Sequence, residues 1–145
     1  MNYLSNSAID TKQLAVSIAK KVTGGTVIAL NGDLGTGKTT FTQGFADSLG
    51  VTETVISPTF KLVSEYKGDK LWLFHIDAYR MNGSKDFLNI GGEKYLVPLN
   101  GVTIIEWADI ISPLLPKNTI NINFNRIRNN PDGRKIKISG HNNDF

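Results

Sequence analysis

A chain of 145 residues, 40% hydrophobic and 20% charged, has the size and make-up of one soluble globular domain with a substantial core. It contains no cysteine, which excludes a disulfide framework and a thiolate metal centre and fits a reducing cytoplasm. The net charge of +3 is placed late: beyond residue 116 stand Lys117, Arg126, Arg128, Arg134, Lys135 and Lys137 against only Asp132 and Asp144. That excess fits contact with RNA or an acidic protein surface, or an edge strand guarded by charges. Met1 to Asp10 lacks the basic start and apolar run of a signal peptide, and no later run has membrane-spanning length. A cytoplasmic location is therefore expected, with no membrane or DNA partner.

In chain order, Leu14, Ile18 and Val22, with Ala15 and Ala19, predict an amphipathic helix that is capped by Asp10 and ends at Gly24-Gly25. Val27-Ile28-Ala29-Leu30 reads as a buried strand. It leads into Gly32-Asp33-Leu34-Gly35-Thr36-Gly37-Lys38-Thr39-Thr40 and a helix to Leu49 with Phe41, Phe45 and Leu49 on one face, closed by Gly50. Pro58 interrupts the next segment. Residues 60–66 and 70–76 read as strands on either side of Gly68-Asp69, a predicted hairpin. Residues 81–97 are helical or irregular. Val102-Thr103-Ile104-Ile105 is a second apolar strand and ends in Glu106-Trp107. After Pro113 and Pro116, Thr119 to Phe124 and Arg134 to Ser139 form a terminal hairpin that turns at Asp132-Gly133, and the polar tip from Gly140 to Phe145 is expected to fray. With no repeat or linker, residues 1–145 are expected to form a single α/β domain whose mixed sheet is flanked by helices.

Gly32, four residues, then Gly37-Lys38-Thr39 is the spacing of a phosphate-binding P-loop. Glycines at 32, 35 and 37 permit positive φ and bring backbone amides close to an anion. The following helix adds the positive end of its dipole. Lys38 can reach the β- and γ-phosphates of a nucleotide, and the Thr39 hydroxyl can serve as a magnesium ligand.

Such a site needs a carboxylate near the metal and an acid to orient or activate water. Asp77 and Glu106 each stand where an apolar strand emerges, the usual ligand end of an α/β sheet. The division of roles between them stays open, and either alone can also read as a solvated residue past a strand end. His75 shares a strand face with Asp77 and can bond to that carboxylate or to a γ-phosphate, or can be an ordinary half-buried residue. Arg80 can stabilise a transferring phosphoryl group or form a surface ion pair. Ser57-Pro58-Thr59 can be a loop that senses the γ-phosphate or a simple turn at a strand start. Trp107 reads by default as a core or interface aromatic.

Together these segments resemble the TsaE (YjeE) family of small P-loop ATPases of bacterial tRNA threonylcarbamoyladenosine synthesis. The matching pieces are Gly32 to Thr40, Ser57-Pro-Thr-Phe60, His75-Ile-Asp-Ala-Tyr-Arg80, Gly92-Glu-Lys-Tyr-Leu96 and Ile105-Glu-Trp107, in the same order with similar gaps. The resemblance implies a P-loop NTPase-like fold that binds and slowly hydrolyses ATP to ADP with Mg2+. It also implies TsaD-like and TsaB-like partners, which attach threonylcarbamoyl to adenosine 37 of tRNA, so that tRNA is met only through the complex. By the same resemblance, Lys38 with the loop from Asp33 through Leu34, Gly35, Thr36, Gly37, Thr39 and Thr40 holds the phosphates, and Thr39 and Glu106 hold the metal. Asp77 acts near the γ-phosphate, Thr59 lies in a switch-like segment, Trp107 lies beside the nucleotide and Thr11 lies near the base. Gly133-Arg134 resembles the family's terminal Gly-Arg and adds Arg134 to the nucleotide set. Ala108-Asp109 and the short Asn-rich C-terminus depart from the family pattern.

The rival readings are a small-molecule or nucleoside kinase, a GTP switch and a nucleotide-binding adaptor without turnover. A chain of 145 residues leaves little room for an acceptor pocket and lid, and it has no Asn-Lys-x-Asp segment to read guanine.

Overall fold

Residues 27–30, all apolar, and 102–105, apolar but for Thr103, are buried on both faces and therefore belong in the middle of a sheet. They occupy that place in the computed structural model, which describes residues 1–58 and 60–140. In chain order the elements are β1 (Asn2–Ser5), α1 (Ala8–Ala19), β2 (Val27–Asn31), α2 (Lys38–Leu49), β3 (Val63–Lys67), β4 (Trp72–Asp77), α3 (Ser84–Asn89), β5 (Gly101–Glu106), β6 (Ile120–Ile127) and β7 (Asn130–Ser139). Short 3-10 segments at Gly92–Leu96 and Ala108–Leu114 flank β5.

The seven strands form one sheet in the order β1-β7-β6-β2-β5-β4-β3. Its centre, β6-β2-β5-β4, is parallel, and antiparallel strands close both sides. Alternation along the central strands separates two cores. Ile28, Leu30 and Ile104 meet Leu14, Ile18, Phe41 and Phe45 of α1 and α2 on one face. Ala29, Ile76 and Ile105 meet Phe87, Tyr95 and Ile111 on the other. The fold is a mixed β-sheet flanked by helices, of the P-loop NTPase-like α/β type.

Three expectations are corrected. The first helix begins earlier, at Ala8, because the Ser7 hydroxyl caps it by accepting the Asp10 N–H at 3.1 Å. Asp10 is thus the third helical residue, and its carboxylate accepts the Asn6 N–H at 2.9 Å. The helix also stops at Ala19, well before Gly24-Gly25. The terminal hairpin turns at Arg128-Asn129, where Asn129 takes φ 66°, so that Asp132 and Gly133 lie within β7. Asn tolerates this left-handed conformation better than most side chains. Finally, the basic strand β7 is not an edge: β1 pairs along it from Asn2–Lys137 to Ser5–Arg134. The expected fraying beyond Gly140 and the assignment of Thr59 lie outside the described residues.

α1 and α2 approach closely at Gly44, where an added Cβ would stand 2.8 Å from the Cα and carbonyl oxygen of Lys12. Helix backbone cannot yield there as a flexible side chain would. Gly44→Val is therefore expected to lower stability by about 1–3 kcal/mol through overpacking, read as a lower urea midpoint.

Candidate functional site

Parallel register decides where the acids fall. Leu30 of β2 and Asp77 of β4 both pair with Glu106 of β5, so the three strands end level. Both carboxylates emerge beside the loop that leaves β2, and both are buried, at 4% exposure.

That loop takes left-handed or related backbone at Gly32 (φ 148°), Gly35 (φ 74°) and Gly37 (φ 103°). At Gly32 a Cβ would lie 2.7 Å from the Phe124 carbonyl oxygen, so the tight passage of the chain also demands glycine. Gly37 precedes α2 with no side-chain cap. The first N–H groups of this helix, which have no intrahelical acceptor, are left for another acceptor.

Lys38 folds back over the loop and donates to the carbonyls of Gly32 and Asp33, the latter at 3.0 Å. Its ammonium also sits 4.3 Å from the centroid of the Trp107 ring. Burial pulls its pKa below the ordinary lysine value, although Glu106, Asp77 and Asp33 pull it up. Trp107 adopts φ 58°, costly for a residue with a Cβ by about 1–3 kcal/mol. Its ring packs against Tyr79 at 5.0 Å and under the Lys38 ammonium, contacts that hold the turn.

The two acids have different partners. Asp77 accepts from the Ser57 hydroxyl at 3.1 Å and from the Tyr79 N–H at 2.9 Å. Glu106 accepts from His75 Nε2 at 2.6 Å and faces the Thr39 hydroxyl, whose oxygen is 3.4 Å from each carboxylate oxygen. Among the described residues no cluster of three or more His, Cys, Asp or Glu could hold a metal by itself. A cation at Thr39 and Glu106 would meet only hard oxygen donors and would need others from phosphate and water. That donor set suits magnesium, which retains waters and binds with phosphates through one or two protein ligands.

The loop is also held from outside. Arg134 donates to the carbonyls of Thr36 at 3.1 Å and Gly35 at 3.0 Å, and Arg126 donates to that of Leu34. These two guanidiniums from the β6-β7 hairpin occupy three successive loop carbonyls.

A cleft of about 700 Å³ opens over these groups. It brings together Leu34 to Thr40, Asp77, Glu106, Trp107, Thr11 and Arg134. Thr11 is buried and its hydroxyl bonds to that of Ser5 at 2.7 Å, beside Gly37. Asp33 is exposed and lies off the wall, and Thr59 is outside the described residues. Arg80 also lies off the wall, its guanidinium 4.7 Å above the Phe60 ring. Asn6, Ser7 and Ala8 line the cleft without having been foreseen. The Ser7-x-x-Asp10 pattern at a helix start was the available signal. His75 was foreseen near Asp77, yet its partner is Glu106.

The family model for "Threonylcarbamoyl adenosine biosynthesis protein TsaE" matches residues 5–136. The chain belongs to the TsaE family. It is 42% identical to the Bacillus subtilis tRNA threonylcarbamoyladenosine biosynthesis protein TsaE, over 81% of this chain and 72% of that one. It is 37% identical to the TsaE of Treponema pallidum, over 86% of this chain and 90% of that one. Among solved structures, Bacillus subtilis YdiB superposes with a TM-score of 0.78 at 34% identity, covering 97% of this chain and 85% of that one. No helix among the described residues is long and apolar enough to cross a membrane.

Two outcomes follow for this TsaE chain. Arg134→Ala should speed amide deuterium uptake in residues 33–37 by about tenfold or more, since charged hydrogen bonds contribute about 1.5–3 kcal/mol each. Lys38 has a folded pKa below its unfolded one, so between those values the unfolded chain holds more protons and stability of the nucleotide-free protein rises with pH. Lys38→Met should remove that rise, measured as the difference in urea midpoint between variant and wild type across alkaline pH.

Proposed function

We propose that this protein binds ATP with Mg2+ and hydrolyses it slowly to ADP and phosphate, as the ATPase that supports threonylcarbamoyl transfer to adenosine 37 of tRNA. In this reading TsaD-like and TsaB-like proteins perform the transfer, and ATP turnover resets their complex. The reading rests most on the level convergence of Lys38, Asp77 and Glu106 around one P-loop. The names of its TsaE relatives supply the biosynthetic context.

The P-loop amides and the first turn of α2 bind the phosphates, and Lys38 turns from the loop carbonyls to the β- and γ-phosphate oxygens. Thr39 and Glu106 would hold magnesium, which neutralises charge on the phosphate oxygens when bound. Asp77, fixed by Ser57 and the Tyr79 N–H, orients the attacking water and accepts its proton. Trp107 and Tyr79, in ring contact, form one wall of the cleft.

Lys38→Ala should weaken ATP binding by about 10- to 100-fold, because a charge-assisted phosphate contact is lost. Wild-type affinity and phosphate release in that variant would overturn the site. Asp77→Ala should retain binding and lose turnover by about 100-fold or more, whereas Glu106→Ala should lose magnesium dependence. Co-purification of TsaD-like and TsaB-like proteins from the source cell with ATP present checks the partners. Transfer of labelled phosphate to a nucleoside or small-molecule acceptor would instead favour a kinase.

A further inference from the structure

His75 is fully buried, and its Nε2 lies 2.6 Å from Glu106 Oε2. Glu106 pairs across the sheet with Asp77, and His75 precedes Asp77 by two residues on the same strand face. The imidazole thus reaches its carboxylate diagonally, from beneath the site rather than from the cleft wall. Its other nitrogen, Nδ1, is buried with no hydrogen-bond partner among the described residues. As a cation ligand Glu106 is a carboxylate and only accepts, which assigns the shared proton to Nε2, and the polar contact of the ring is directed at one oxygen of Glu106. With Oε2 held in this way, Oε1 keeps its lone pairs for a cation or its water beside the Thr39 hydroxyl.

We propose that His75 is a positioning residue for Glu106, locking the carboxylate in the orientation that receives the magnesium ion brought in with the nucleotide. The inference rests on reading the cleft as a magnesium–nucleotide site and assigns His75 no contact with substrate. Residues that orient a metal ligand commonly change metal affinity by 10- to 100-fold when replaced.

The test compares His75→Asn, whose shorter amide stops short of Glu106, with His75→Gln, whose amide nitrogen can stand near the place of Nε2. ADP binding is titrated calorimetrically in EDTA and over a series of MgCl2 concentrations. In EDTA both variants should bind ADP within about twofold of wild type. The MgCl2 concentration giving half of the magnesium-dependent gain in affinity should rise about tenfold or more in His75→Asn and return to within about threefold of wild type in His75→Gln. An unchanged magnesium response in His75→Asn would overturn the proposal. So would equal impairment of the two variants or failure of both to fold, since either marks a packing role. Wild-type protein that bound no ADP under any condition would remove the site reading, and this proposal with it, whereas a flat magnesium response in His75→Asn removes this proposal alone.

Discussion

The Lys38 ammonium is buried at the end of the sheet together with the carboxylates of Asp77 and Glu106. Moving an isolated ion out of water costs on the order of several kcal/mol, so each group is tolerable only because opposite charge and hydrogen-bond partners lie near it. The opposed influences on Lys38, with burial lowering its pKa and the acids raising it, express that balance. The parallel register of β2, β5 and β4 serves the same balance by ending three strands level. A slip of one residue in β5 would send Glu106 to the other face and take from the ammonium the acid that raises its pKa most.

Much of the site was legible because its signals are local. A strand that ends in an acid, or a glycine-spaced loop between strand and helix, is visible in consecutive residues, and Lys38, Thr39, Asp77 and Glu106 lie where such signals place them. What was illegible depends on pairing. Face parity groups His75 with Asp77, yet the carboxylate that meets the imidazole comes from the neighbouring strand. β1 is short and half exposed, with too few apolar residues to announce itself, and its place is set by β7 from the other end of the chain. The hairpin turn was misplaced because Asp132-Gly133 is the stronger turn signal than Arg128-Asn129, and the long pairing of β6 with β7 overrides it.

The two acids are also set apart by what holds them. Asp77 is fixed by a hydroxyl and a backbone N–H, and Ser57 comes from a loop outside the sheet. Glu106 is fixed from below by a ring locked within β4. Movement of the loop around Ser57 would therefore disturb one carboxylate while leaving the other seated.

The grip of Arg126 and Arg134 on the P-loop has a consequence for the history of the molecule rather than for its chemistry. Those contacts join residues 92 to 99 positions apart, from Leu34 to Arg126 and from Gly35 and Thr36 to Arg134. Contacts at such separation form late, because chain entropy must be lost before they contribute. At a synthesis rate of about 5–20 residues per second, the loop leaves the ribosome several seconds before its clamps exist. During that interval the glycine-rich segment lacks its outer support, and β2 waits for its sheet partners β5 and β6, which are also made later. The segment from Leu34 to Thr36 thus gains its outer support only when the β6-β7 hairpin docks against it.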